Sequence, residues 1–144
     1  MLEKKENNYY KEIYFGETHV ATHVKPKKAP KGLSFITEDS HFQQLGLWNY
    51  KKNKVLDNHF HKWFERKSFR TNEFVFVLKG RIKCDLYTEE GSFITSLTIR
   101  KGEGVLQHNL SHKYTILKNS IIIESKNGPY FGVEMDKQVV FEKK

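Results

Sequence analysis

The chain has little of what staples, kinks or anchors a protein. Its single cysteine, Cys84, excludes an intramolecular disulfide and a thiolate zinc cluster. Only three prolines occur, two of them in the stretch 25–32, where Lys, Pro, Ala and Gly alternate. Proline lacks the N–H that a central strand must donate, so 25–32 reads as a linker. No apolar run approaches the ~18 residues of a membrane-crossing helix. The opening residues, Met1 to Asn8, lack the apolar stretch of a signal peptide. The expectation is a cytoplasmic protein with no membrane association.

Arginine is also scarce. Lys and Arg number 25 against 17 acidic residues, a formal net charge of +8, yet Arg66, Arg70, Arg81 and Arg100 are the only arginines. Base reading and bidentate phosphate recognition favour arginine, and the lysine excess is spread thinly, so nucleic acid is not an expected partner. The densest stretch, 51–70, holds seven basic and two acidic residues. It reads either as a solvated face or as a basic rim around a site for a small anion such as a sugar phosphate.

What is present is aromatic and β-patterned. Aromatics make up 14% of the 144 residues, a load that disordered chains lack, and the length suits one core. Period-two alternation recurs at 45–50, 55–64, 73–78, 81–87, 92–99, 105–108, 112–117 and 120–125. Turn signals separate these segments at Gly80, at 89–91 and at 101–104. Short strands at such spacing predict an all-β sandwich or barrel. The expected organisation is an N-terminal extension over 1–32 and a barrel with a C-terminal extension over 33–144. Within the extension, residues 1–12 read as a short helix or as disorder, and 13–24 as an early strand. Residues 138–141 are a candidate edge strand.

Several side chains on these segments carry chemistry. His59, His61 and Trp63 alternate, which on a strand places all three on one face. Two adjacent imidazoles near a carboxylate can bind a divalent metal or divide acid and base roles. Glu73 opens the most apolar strand of the chain, apolar on both faces, and a carboxylate there needs a partner. That partner is either an arginine such as Arg66 or a ligand. His112 opens a strand with Tyr114 and Ile116 on its face, and His108 lies four residues earlier. His108 reads as a barrel histidine bonded to a hydroxyl or carbonyl, whereas His19 and His23 read as surface or dimer-contact residues. Cys84, between Ile82 and Leu86, reads as core. The turn 128–132 (Gly-Pro-Tyr-Phe-Gly) offers Tyr130 as a hydroxyl donor or a stacking platform for a sugar.

These residues resemble the cupin superfamily. Glu73, six intervening residues and Gly80 match the end of the first cupin motif, and the stretch from Gly102 to His112 is similar to the second. A narrower likeness is to small cupins of surface-polysaccharide and nucleotide-sugar gene clusters. It rests on His59-Phe60-His61-Lys62, Arg66, Thr71, Glu73, the stretches 32–36 and 125–130, and Asp136-Lys137. The resemblance implies a double-stranded β-helix, or jelly-roll, barrel over 33–126 and a sugar or nucleotide-sugar ligand. Distant relatives with a His-x-His-Lys strand are nucleotide-sugar ketoisomerases that work without metal. The positions just before Glu73 are Lys67, Ser68, Phe69 and Arg70, so the histidine pair of the first motif is out of register here.

The function expected from this likeness is sugar binding in the barrel mouth, with isomerisation or epimerisation. His61 or His59 would remove a proton beside a keto group, and Tyr130 or His112 would return it. Lys62, Arg66, Trp63 and Glu73 would hold the ligand. Two alternatives stand beside it. One is a metal-dependent enzyme, of oxygenase or phosphosugar-isomerase type, with a divalent cation on Glu73, His112 and His61. The other is a non-catalytic ligand-binding module. A homodimer is expected, with 13–24 covering an open edge or meeting the partner.

Overall fold

The structure, a computed structural model, describes residues 1–143. Strand accounts for 48% of the chain and helix for 5%, so the alternating patterns do form an all-β protein. Three strands open it: β1 (Leu2–Glu6), β2 (Tyr10–Phe15) and β3 (Thr18–Val24). Turn chemistry divides them. Asn7 Oδ1 accepts the backbone N–H groups of Tyr9 and Tyr10, each at 2.9 Å. Gly16, at φ 58°, reverses the chain between β2 and β3.

Residues 1–12 are therefore neither helix nor disorder, and 13–24 is not one strand. The polar segment Leu2–Glu6 is held extended by its ladder with β2, where pairing overrides weak intrinsic preference. The linker 25–31 is not wholly irregular either, since Pro26–Lys28 form a single 3-10 turn.

Next come β4 (Gly32–Phe35) and β5 (Gly46–Asn49), which pair with each other as a separate two-stranded sheet. The remaining strands are β6 (Glu73–Tyr87), β7 (Phe93–Arg100), β8 (Gly104–Gln107) and β9 (Ser111–Lys126). They join the first three in one antiparallel sheet ordered β1-β2-β3-β8-β6-β7, with β9 also on β6. The β9 ladder runs along β6 from Glu73 to Tyr87, so β8 and β7 share the opposite edge, at Glu73–Phe76 and Arg81–Tyr87. The segments expected separately at 73–78 and 81–87 are one strand, as are those at 112–117 and 120–125. Gly80, at φ 91°, sits in a register shift that bends the strand without ending it.

The inward alternation expected of β6 holds: Val75, Val77, Ile82, Cys84 and Leu86 are buried with Ile13, Val20, Ala21, Leu97, Ile99 and Val105. Removing a side chain such as Ile82 or Leu86 from water contributes ~1.5–3 kcal/mol. Residues before 32 thus share this core. Within 13–24, β3 does cover an edge, that of β8, and with β2 on its other side it is not itself open to a partner. A second cluster, Val24, Ala29, Ile36 and Leu47, packs Phe74 and seats the small sheet on the large one.

After β9 the chain makes one α-helical turn, α1 (Val133–Asp136). Residues 138–141 form no strand. Among the described residues, no helix is long and apolar enough to cross a membrane.

Candidate functional site

Glu73 stands where β6 leaves the preceding loop, paired in register with Gln107 of β8 and Lys126 of β9. His112 lies one residue into β9, opposite Leu86. Residues 73 and 86 of one strand would be ~43 Å apart if it were straight. The bend brings them round to the same place, and His112 Nε2 lies 3.6 Å from Glu73 Oε1. The pair opens into a cleft of about 700 Å³, lined also by Gln107, Tyr114, Arg70 and Lys137.

The floor of the cleft is a polar chain anchored in the core. Gln107 is buried, and its Nε2 donates to Cys84 Sγ at 3.0 Å and to Tyr114 Oη at 3.3 Å. Its Oε1 is buried without a hydrogen-bond partner among the described residues. Such an orphan acceptor asks for a donor from outside the chain. At the rim, Asp136 accepts from Thr71 Oγ1 and from Lys126 Nζ, which ties α1 over the cleft mouth. Arg70 pairs with Glu89 at 2.8 Å.

Charge follows this geometry. The bond from His112 holds Glu73 below the usual carboxylate range despite burial, helped by Lys137 and Lys126. Burial pushes Tyr114 well above an ordinary phenol and Cys84 up to about 12. The site at neutral pH therefore holds an ionised carboxylate, a protonated phenol and an inert thiol.

Of the residues expected to converge, Glu73 and His112 do so. His59, His61, Lys62, Trp63 and Arg66 do not line the cleft, and all are exposed. The expectation that 55–64 forms a strand is corrected: both edges of β6 are already paired, and the segment joins no other strand, which leaves all its residues exposed. His59 and His61 stay neighbours, with ring centroids 5.2 Å apart, but His59 Nδ1 contacts only the carbonyl of Asp57. Arg66 lies over Phe64, not beside Glu73. Tyr130 is exposed beneath Lys126 Nζ and lines no part of the cleft.

No family model, curated protein or solved structure matches this chain.

A cation on Glu73, His112 and His61 does not fit these residues. Of the three ligands that such a cation needs, Glu73 and His112 are already engaged with each other and His61 lies outside the cleft. Among the described residues, the group of metal-ligating side chains in mutual reach is a different one, His19, His41 and His108, of which His108 also lines the cleft. His108 is bonded to a hydroxyl, as read from the sequence, with Nε2 3.0 Å from Thr22 Oγ1. His19 and His23 are not surface residues; His19 is half-buried and His23 buried, because β3 is interior. Burial and neighbouring imidazoles lower His19 to about 4 and His108 to about 2.

Gln107 and His41 drew no attention in the sequence. A glutamine closing the apolar run 104–107 was the one available sign of the first. His41 sits in an unpatterned loop and offered none.

Proposed function

We propose that the cleft binds a sugar-derived ligand, a nucleotide sugar in particular, and shifts its keto group by proton transfer. The observation that carries this reading is buried Glu73 paired with half-buried His112, beside an acceptor, Gln107 Oε1, that no donor among the described residues satisfies. A cleft of about 700 Å³ has the size of a small-ligand site. Lys137 and Arg70 at its wall suit a phosphate. The solvent-exposed His59 and His61 no longer supply the base, and Tyr130 no longer supplies the acid.

In their place, the Glu73 carboxylate 3.6 Å from His112 Nε2 favours a proton on that nitrogen, leaving Nδ1 as the base. Nδ1 takes the proton from the hydroxyl-bearing carbon beside the ketone. Tyr114, which accepts from Gln107, would turn its O–H to hydrogen-bond the enediolate oxygen. His112 then returns the proton to the former carbonyl carbon, while the hydroxyl proton passes to the old carbonyl oxygen. No redox partner is needed.

The test is binding, then turnover. Nucleoside-diphosphate hexoses and their keto derivatives should raise the melting temperature of the wild type. Glu73→Gln and His112→Ala should abolish that rise. In D2O, proton NMR should show deuterium entering the carbon that receives the proton. A rise without deuterium entry would leave a binding module and remove the catalytic reading. A rise that survives both substitutions would remove the site itself.

A further inference from the structure

We propose that His19, His41 and His108 form a binding site for a divalent transition-metal ion of the zinc class, behind the cleft wall to which His108 also contributes. Three elements distant in sequence bring these rings together: β3, the loop 37–45 and the turn after β8. Ring centroids are 4.1 Å apart for His19–His108, 4.5 Å for His41–His108 and 5.4 Å for His19–His41. One ring nitrogen from each lies within 4.8 Å of the others. Zinc–imidazole bonds of ~2.0–2.1 Å set nitrogens about 3.4 Å apart, so a swing of under ~1 Å per ring closes the site.

The surroundings have the form of a metal site's supporting shell. The hydroxyl oxygen of Thr22 is 3.0 Å from Nε2 of both His19 and His108. Two metal-bound imidazoles each need an acceptor for their remaining N–H, and that oxygen has two lone pairs. His41 Nδ1 is buried with no hydrogen-bond partner among the described residues, the position of a ligand atom awaiting its ion. Tyr14 stacks on His19 at 4.5 Å and walls that side.

Each backbone that presents a ring is tied down by a side-chain amide. Asn109 Nδ2 donates to the carbonyl of His19, and Asn72 Nδ2 to that of His108. Gln44 Nε2 donates to the carbonyls of Glu38 and His41, while its Oε1 accepts from Thr37. Such preorganisation is what a coordination site requires and a casual meeting of histidines lacks.

The donor set selects the ion. Three imidazoles, without thiolate or carboxylate in the group, favour zinc, cobalt, nickel or copper over magnesium or calcium. His41 is half-buried, which leaves a fourth position to water.

The experiment is titration of the full chain with Zn2+ and with Co2+, read by calorimetry and by the visible bands of tetrahedral cobalt. The wild type should take one ion per chain. His41→Ala, in a loop outside the sheets, should weaken binding by more than about 100-fold and Thr22→Val by about 10–100-fold. Circular dichroism of each variant separates loss of the site from loss of the fold, and His41→Gln replaces any variant that unfolds. The double variant His59→Ala, His61→Ala and the single variant His112→Ala should bind within about twofold of wild type. Affinity unchanged by His41→Ala and by His41→Gln, or lost with His59 and His61, would overturn the proposal. Both results are independent of whether the cleft binds sugar.

Discussion

His23 shows how burial at a single residue becomes a pH response. Its Nε2 lies 3.0 Å from Glu103 Oε2, and burial lowers its pKa further than that carboxylate raises it. The unfolded chain takes up a proton at this ring below about pH 6.5, whereas the folded chain resists it. Stability is therefore lost as pH falls from about 6.5 toward the lowered folded value. Melting temperature measured across this window should decline, and His23→Gln should flatten the decline while lowering the plateau. The pair in the cleft makes a second contrast. His112→Ala strands a buried carboxylate, whereas Glu73→Gln leaves a neutral group that still bonds to His112. The first should cost about 1–3 kcal/mol in urea unfolding and the second less. Glu73 and His112 were legible in sequence because each opens a strongly alternating run. Gln107 was not, since its meaning lies in a partnerless oxygen that only the packed sheet creates.

Among the elements, the long pair β6 and β9 depends on one glycine. A Cβ at Gly80 would sit 2.5 Å from the carbonyl oxygen of Asn119 and 2.7 Å from Ser120 Cα, at a φ of 91°. Backbone atoms cannot step aside as a flexible side chain does. Gly80→Ala should therefore destabilise the protein by about 2–4 kcal/mol, read as a shift in urea midpoint at unchanged slope. In sequence Gly80 reads as a turn, because a glycine between two apolar runs is ordinarily one. Only the β9 ladder, with Lys79 opposite Ile121 and Arg81 opposite Lys118, shows it to be a bend within a continuous strand. The converse holds at 55–64, where alternation is clear but the segment pairs with no strand. Patterning reports what a segment can bury, and pairing decides whether it gets the chance.

At the scale of the whole molecule, 51–70 lies in the longest exposed stretch without helix or strand among the described residues. Its residues are exposed, and between 55 and 67 no backbone–backbone hydrogen bond forms among the described residues. It also carries seven basic residues. Trypsin should cut there first. The N-terminal piece would still hold β1 to β3, with β3 paired to β8 in the shared core. The nicked protein should elute from gel filtration as one species; fragments that part company would contradict the seven-stranded sheet. A last consequence concerns the tight reversal between β8 and β9, which holds Leu110 at φ 65°. His108 at its start reaches the histidine trio, and His112 just beyond it reaches the cleft. Four peptide units thus serve as a common lever arm. A ligand in the cleft and an ion on the trio would share this reversal, and whatever factor one imposes on the other's dissociation constant holds equally in return.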